Sequence, residues 1–570
     1  MKRSLVLAVF ICWGLNAFGQ AAQNEKIHII PEPVSVDIDT GYFSLNSETK
    51  ILYDAASAES IAQMFQNQVK KSSGFDLDIK RRGSGRKNSI SLQTNFVYDS
   101  TLGDEGYILD VTPDKIVISA NDAHGLFYGV QSLKQLFPPQ IESDTVWHHQ
   151  KWMAKCVHIM DYAQFQWRGL MLDVSRHFFT VDEVKKYIDE MAKYKYNVFH
   201  WHLTDDQGWR MEIKGLPKLT EVGAWRIPSY FPFQQETKPK PGQDKSYGGY
   251  YTQEEVKEVI AYAKKRFVTI VPEIDVPGHS LALISAYPNL SCTQEQYPIY
   301  PGDAPDSVAN VLCVANDYTW KILDTIFTQV AELFPSEYIH VGGDEANRSF
   351  WSKHAKDIAL MEKEGIENPA ELQSYFEKKL EKIVLSKGKK LIGWDEIVEG
   401  GLAPEAAVMS WRGMEGGIHA AEMGHHVVMA PWGKTYLSQI QGDPLIEPKG
   451  PPRSNTLKEI YTGTHIVPDG VNSDMIMGGE ACLWTEYVSS FRHAQYMTWP
   501  RAFALSEVFW GNRTSWKDFV RRTEANLKYL AAAEVKYAPS MYDPVIDAEK
   551  KNGKLMVVLD TKIPHLDIYY

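Results

Sequence analysis

The chain reads as an α/β protein: a (β/α)8 TIM barrel preceded by a smaller α+β domain and followed by a short C-terminal helical/β extension. Three observations predict this. From Arg168 onward, eight apolar, strand-like runs alternate with amphipathic stretches. The eight units extend over about 350 residues, the span of a barrel with loop insertions. Acids and tryptophans recur at the C-terminal ends of the runs, where a barrel carries its working face. An open doubly wound sheet is the rival, but the chain has no glycine fingerprint for a dinucleotide.

Met1-Lys-Arg, the apolar run 4–15 and Ala17-Phe-Gly19 read as a secretory signal peptide over residues 1–19. That run is too short to cross a bilayer, and no other reaches the roughly 18 apolar residues of a spanning helix. The mature protein is therefore expected to be exported to periplasm, cell surface or medium, without a membrane span. Residues 27–160 form the first domain. Ile90-Ser-Leu-Gln, Tyr107-Ile-Leu-Asp-Val and Lys115-Ile-Val-Ile-Ser-Ala alternate like strands, and a helical stretch over 125–137 is stopped by Pro138-Pro139. No chemistry is visible there.

The barrel is placed at 165–515. Its strand candidates are 169–173, 197–203, 268–275, 338–344, 390–395, 407–411, 426–431 and 475–484, with helices between them at 181–194, 253–266, 319–334 and 371–386. Inserts at 204–249 and 286–316 follow strands two and three, so they are expected to shape the mouth of a pocket. Helices are predicted over 494–510 and 515–533. Strands follow at 554–560 and 565–570 within an extension, 516–570, that stops in mid-pattern. Two strands are marginal alone, so they must pair and dock unless the domain is truncated.

Net charge is −12, and removing the signal peptide with Lys2 and Arg3 leaves 58 basic against 72 acidic residues. That balance argues against a nucleic-acid partner bound by bulk electrostatics. Aromatics make up 12% of the chain, with 16 Trp and 29 Tyr, enough for sugar-stacking surfaces as well as cores. Four cysteines follow the signal peptide. Cys292 and Cys313 flank a Pro/Gly/Asp-rich loop and form the disulfide candidate for an oxidising compartment, while Cys156 and Cys482 sit in apolar contexts.

The most informative segment is Tyr338-Ile-His-Val-Gly-Gly-Asp-Glu345. A β-prone run is released by two glycines, and two acids follow where the strand ends. Adjacent side chains point different ways, so one acid can face a scissile bond while its neighbour faces another part of the same substrate, an arrangement that suits general acid/base work. The remaining strand ends supply Asp173-Val-Ser-Arg176-His177, His200-Trp-His202-Leu-Thr-Asp205-Asp206, Pro272-Glu-Ile-Asp-Val-Pro-Gly-His279, Trp394-Asp395-Glu396, Trp411-Arg412, Tyr436 and Trp484-Thr-Glu486. His200, His202 and His279 raise a metal amidohydrolase as a rival. Strands five and six, however, offer tryptophans and acids, and the i,i+2 pair reads as core and supporting histidines. No metal ligand is assigned and no cofactor is expected.

In order and spacing, these stretches resemble the family 20 glycoside hydrolases, the β-N-acetylhexosaminidases. The likeness covers roughly residues 29–529 through Trp167-Arg-Gly-Leu-Met-Leu-Asp-Val-Ser-Arg-His-Phe178, His200-Trp-His-Leu-Thr-Asp-Asp-Gln-Gly-Trp-Arg210, Val271-Pro-Glu-Ile-Asp-Val-Pro-Gly-His-Ser280, His340-Val-Gly-Gly-Asp-Glu345 and Gly478-Gly-Glu-Ala-Cys-Leu-Trp-Thr-Glu486. The resemblance implies a substrate-assisted retaining mechanism acting on a glycan with a terminal β-linked N-acetylhexosamine. It implies Glu345 as general acid and base, with a pKa raised by burial beside Asp344, and Asp344 as the residue orienting the 2-acetamido group. Tyr436 would donate to the acetamido oxygen, and Trp394, Trp411 and Trp484 would wall the sugar. Arg168 and Glu486 would bind ring hydroxyls. His279 and Asp205, or Asp206 in its place, would form a chain to Glu345. Where the family usually has Leu-Asp after this tyrosine, the chain has Leu437-Ser438, which implies altered recognition at C6, such as tolerance of a 6-sulfated sugar. A disaccharide-releasing hexosaminidase and a non-catalytic glycan-binding protein are the alternatives.

Overall fold

In the computed structural model, residues 26–81, 85, 87–228, 245–564 and 566–569 are described; the signal-peptide reading lies outside them. The chain divides into two compact units. The first combines the segment up to Tyr162 with Asp518–Glu534. It contains a seven-stranded mixed sheet in the order Ser35–Ser44, Met153–Asp161, Tyr107–Val111, Lys115–Ala120, Ser89–Thr94, Lys50–Tyr53, Asp78–Arg81. The helices Glu59–Ser73 and Ala123–Lys134 belong to the same unit. The Tyr107 hydroxyl donates to Asp161 Oδ2 at 2.7 Å, giving a buried polar group the partner it needs. Tyr529, on the helix Trp516–Ala532, donates to the carbonyls of Gln135 and Phe137 at 2.8 and 2.6 Å. The 516–533 stretch, read from sequence as part of the extension, is thus mostly allied to the N-terminal sheet.

The second unit is a closed barrel of eight parallel strands: β1 (Trp167–Asp173), β2 (Val198–His202), β3 (Thr269–Glu273), β4 (Tyr338–His340), β5 (Lys390–Trp394), β6 (Ala407–Ser410), β7 (Val427–Met429) and β8 (Ile476–Leu483). Each strand pairs with its neighbours in chain order, and β8 closes onto β1. Helices Val181–Lys193, Gln253–Lys264, Asp317–Leu333 and Pro369–Ser386 fall within a residue or two of the predicted positions. Two of them open with Thr-x-x-Glu capping boxes, Thr180/Glu183 and Thr252/Glu255, in which each side chain bonds the other's backbone N–H. Met171, Val198, Val271, Ile392, Met409, Val428 and Cys482 fill the barrel interior beneath Trp394 and Trp484.

Two predictions beyond the barrel change. The helix expected over 494–510 is two helices, Phe491–Thr498 and Arg501–Trp510, because Pro500 lacks the N–H that would continue the ladder. The predicted 554–560 strand is observed as Lys554–Thr561, but it pairs antiparallel with Pro544–Lys551 rather than with 565–570. Residues 566–569 form no strand.

Candidate active site

Strand ends converge on one mouth of the barrel. After β4, the chain leaves the ladder at Gly342 (φ +71°) and Gly343 (φ +92°), and Glu345 is itself left-handed (φ +44°). A Cβ on Gly342 would stand 1.7 Å from Asp275 Oδ1, so only glycine lets this turn lie against the β3 end. The turn separates the two acids. Asp344 is buried, whereas the Glu345 side chain is 60% exposed.

His279, left-handed at φ +45°, stands between the acids and the β2 end. Its Nε2 lies 3.4 Å from Glu345 Oε2 and 3.6 Å from Asp344 Oδ2, and its Nδ1 lies 3.1 Å from Asp205 Oδ1. Its Nδ1 is not aligned for a hydrogen bond to either aspartate, so close charge holds that side of the ring. Asp206 is farther, at 3.6 Å, and is occupied by the Leu281 N–H and the Asn310 amide, both at 2.9 Å. The geometry therefore favours Asp205 over Asp206 as the partner of His279.

Asp205 is anchored in turn. Arg176 Nη2 lies 2.8 Å away and His202 Nε2 3.0 Å away. His202 Nδ1 meets Glu273, His200 lies between Glu273 (2.9 Å) and Glu480 (2.6 Å), and Trp394 Nε1–H donates to Glu273 at 2.9 Å. Both ring nitrogens of His200 and of His202 thus face carboxylates. This is a buried charge network in which each imidazole is held between acids.

Electrostatics follow from this layout. Burial opposes a charged His279, yet Asp205, Asp206 and Asp344 hold it well above the ordinary histidine value. His279 in turn holds Glu345 below the usual carboxylate range. Asp344 goes the other way: burial pushes it up to about 6, with Glu273 and Glu345 adding to the effect and His279 opposing it. The expected raised pKa of Glu345 is therefore not found; the adjacent His279, with Arg176 behind it, outweighs burial and reverses the direction.

An aromatic wall faces the acids. Trp411 and Tyr436 stack with centroids 6.3 Å apart at 13°, Tyr436 meets Trp484 at 6.0 Å, and Trp484 meets Trp394 at 5.7 Å. Trp411 Nε1–H donates to Glu396 Oε2 at 2.8 Å. Glu396, which the strand-end reading left without a role, is raised by burial and by Asp344 to about 8. Ser438 is buried two residues beyond Tyr436. On the other side, Glu345, His279 and Asp206 open onto a cleft of about 680 Å³ walled by 303–308, Asn310, Asn347, Ser349 and Lys353.

The sequence pattern of the glycosyl hydrolase family 20 catalytic domain matches residues 165–513, and that of the family's domain 2 matches 26–162. The chain belongs to glycosyl hydrolase family 20. It is 38% identical over 538 residues to a beta-hexosaminidase of Porphyromonas gingivalis, covering 92% of this chain and 67% of that protein. With a beta-hexosaminidase of Vibrio furnissii it shares 34% over 497 residues, covering 85% and 77%. Among solved structures, a mutant Streptomyces plicatus beta-hexosaminidase in complex with product (GlcNAc) aligns with a TM-score of 0.78 at 32% identity, covering 90% of this chain and 96% of that one. The beta-N-acetylhexosaminidase of Bacteroides fragilis aligns with a TM-score of 0.76 at 29% identity, covering 90% and 98%.

Two further expectations for this family 20 chain are corrected by the geometry. Arg168 is not at the site. It lies near the start of β1, at the opposite end of the barrel, where its guanidinium donates to the carbonyls of Lys195 (2.7 Å) and Phe165 (2.8 Å) and lies 5.0 Å from the Trp510 ring centroid. The arginine at the mouth is Arg176, just past the end of β1. Asp173 positions it by accepting the N–H groups of Ser175 (2.8 Å) and Arg176 (3.0 Å), and its guanidinium lies 5.0 Å from the Trp484 ring centroid. The half-buried Glu486 feels the same arginine: burial raises it and Arg176 draws it down. The rule that barrel chemistry sits at strand C-termini already distinguishes Arg176 from Arg168. The second correction is the disulfide: Cys292 and Cys313 are free thiols whose sulfurs turn toward Asp357.

Proposed function

We propose that this family 20 glycoside hydrolase is an exported exo-β-N-acetylhexosaminidase that removes non-reducing terminal GlcNAc or GalNAc from glycans with retention, using the substrate's own 2-acetamido group. The observation that carries this reading is Asp344 Oδ1: buried, without a hydrogen-bond partner among the described residues, and beside an exposed acid. A buried acceptor normally has a donor, and an acetamido N–H supplies one. Asp344 then turns the acetamido oxygen toward the anomeric carbon and balances the positive charge that develops as the oxazolinium ring closes. Tyr436 donates to that oxygen, and Trp394, Trp411 and Trp484 pack the acetyl methyl and the sugar face.

Glu345 protonates the leaving oxygen and then, as carboxylate, draws the proton from the attacking water. Its depressed pKa belongs to the open cleft. A sugar covering Glu345 removes water and drives its proton affinity upward, with Asp344 adding to the rise. Arg176 and Glu486 bind ring hydroxyls. Ser438 contributes no charge where an aspartate would repel an anionic group, which favours tolerance of 6-sulfated GlcNAc. Improvement of sulfated and plain substrates to the same degree by Ser438→Asp would remove that last point.

The test of the main reading is substrate chemistry. Nitrophenyl β-GlcNAc should be hydrolysed, with the β-anomer of the free sugar appearing first by NMR. Nitrophenyl β-glucoside, which lacks the acetamido nucleophile, should be hydrolysed at least about 10³-fold more slowly. Comparable turnover of the two, or first release of the α-anomer, overturns the mechanism.

A further inference from the structure

One cluster of metal-ligating side chains lies apart from the acids of the barrel mouth. Cys292, Cys313, His354 and Asp357 each offer one ligand atom, and all four atoms lie within 4.8 Å of one another. Asp357 Oδ2 is at the centre: 2.9 Å from Cys292 Sγ, 3.4 Å from Cys313 Sγ and 2.9 Å from His354 Nδ1, while Cys313 Sγ is 3.4 Å from His354 Nδ1. Metal–ligand bonds of about 2.0–2.3 Å in a tetrahedron place ligand atoms roughly 3.3–3.8 Å apart, so this set needs only small rotamer changes to close on an ion. The geometry points to a structural zinc site whose ligands are two cysteines, a histidine and an aspartate.

Three features support it. Asp357 is fully buried, yet its side-chain partners among the described residues are two thiols and an imidazole rather than a lysine or arginine. Two thiols and an imidazole gathered around a buried carboxylate make a donor set suited to a cation. Its second oxygen is already oriented, because the Ala315 N–H donates to Oδ1 at 2.7 Å, as the outer partners of metal-bound carboxylates do. The ligand-bearing segments are also fixed independently. The Cys313 N–H donates to the Leu290 carbonyl at 2.8 Å, and Trp351 Nε1–H donates to the Leu312 carbonyl at 2.9 Å. His354 occupies the position just before the helix Ala355–Glu364, which carries Asp357 in its first turn. Two soft thiolates with an imidazole select zinc over magnesium or calcium. A disulfide, by contrast, would use two of the four groups and leave His354 and Asp357 without a purpose.

The site would tie together two walls of the cleft. Cys292 and Cys313 bracket the loop that supplies 303–308 and Asn310, and His354 directly follows Lys353. On binding, each thiol releases its proton to solvent and the ion takes over the contacts now made through Asp357.

Full-length protein purified with zinc present should retain about one zinc per chain after gel filtration, measured by mass spectrometry of the metal. Replacement by cobalt(II) should give the intense visible bands of a tetrahedral thiolate site. Cys313→Ser and His354→Ala should lose the metal, while Cys156→Ala, altered in the other unit, should keep it. Chelator-stripped wild type should melt at lower temperature than the loaded protein, a readout that does not depend on the variants folding. Absence of zinc from loaded, reduced wild type, zinc retained by Cys313→Ser, or a Cys292–Cys313 disulfide mapped in unreduced peptides would each overturn the site.

Discussion

Asp344 and Glu345 are adjacent in the chain but are driven in opposite directions, and the backbone is the reason. Positive φ at Gly342, Gly343 and Glu345, interrupted only by Asp344, leaves one carboxylate in the barrel and carries the other to the cleft. The two acids should therefore fail differently. Glu345→Gln removes leaving-group protonation, so kcat/KM on unactivated glycans should fall about 10²–10⁴-fold, and much less on a nitrophenyl glycoside, whose leaving group needs little help in the first step. Asp344→Asn removes the charge that stabilises ring closure, so kcat should fall about 10²–10³-fold on both substrates alike. Identical leaving-group dependence in the two variants would contradict the division of roles. Asp205 acts one step further back. Its carboxylate keeps His279 charged against burial, and that charge depresses Glu345. In Asp205→Asn the imidazolium loses its main support, Glu345 holds its proton longer, and the alkaline limb of kcat/KM should move to higher pH. A lower amplitude with an unmoved limb would make Asp205 a purely mechanical support.

Among the elements, the β4 turn is where packing and chemistry are least separable. Gly342→Ala sets a Cβ against Asp275 in a left-handed conformation. The backbone strain alone should cost about 1–3 kcal/mol of stability, and a shift of Asp344 of the order of 1 Å should lower kcat/KM about 10²-fold. An unchanged melting temperature with normal kcat/KM would show that the turn has slack. This turn also marks how far periodicity reads. Apolar alternation located all eight barrel strands, because each is buried and bounded by turn residues, but it extended the fourth to 344, when the strand ends at His340 and the last ladder bonds are made by Val341 and Gly342. Positive-φ glycines release the chain there, and the two acids that follow are turn residues rather than a continuation of the strand. Strand-end chemistry was legible for the same reason, since a barrel fixes which end works. Arg168 shows its limit: a motif match carried over without asking which end of the strand it occupies selects the wrong arginine. Partners distant in sequence were not legible. Nothing local states that Asp518–Glu534 joins the N-terminal unit, that Lys554–Thr561 pairs with Pro544–Lys551, or that Cys292 and Cys313 meet His354 and Asp357.

At the scale of the whole barrel, the buried titratable groups set a pH dependence of stability whose sign is fixed by their common direction. Burial raises Glu190 to about 7, Asp344 to about 6 and Glu396 to about 8, and holds Asp275 and Glu377 well above the usual range. Burial opposes the charged form of His200, but Glu480 and Glu273 lift it to about 9, and His202 is likewise raised. Each of these groups holds its proton more tightly folded than unfolded. Their contribution is complete below the unfolded pKa values and is lost as pH rises through the folded ones. Glu190, which is 5% exposed and accepts from Gln495 and Trp499, contributes about 3 kcal/mol to that loss between its unfolded and folded values. His177, lowered to about 4 by burial, pulls the other way together with His340 and His493, which burial also lowers, but these histidines act only below their unfolded value of about 6.5. At the acid end, burial would raise Asp205 and Glu273, but Arg176 and His279 depress the first and the surrounding histidines depress the second, so their contribution disappears as pH falls through their folded values. The barrel should accordingly be most stable near about pH 5–6, with its melting temperature falling by several degrees toward pH 9. Scanning calorimetry across that interval measures it. A flat or rising curve would mean that the buried acids shed their protons on folding, and the raised pKa of Asp344, which shares their low-dielectric surroundings, would have to be abandoned with them.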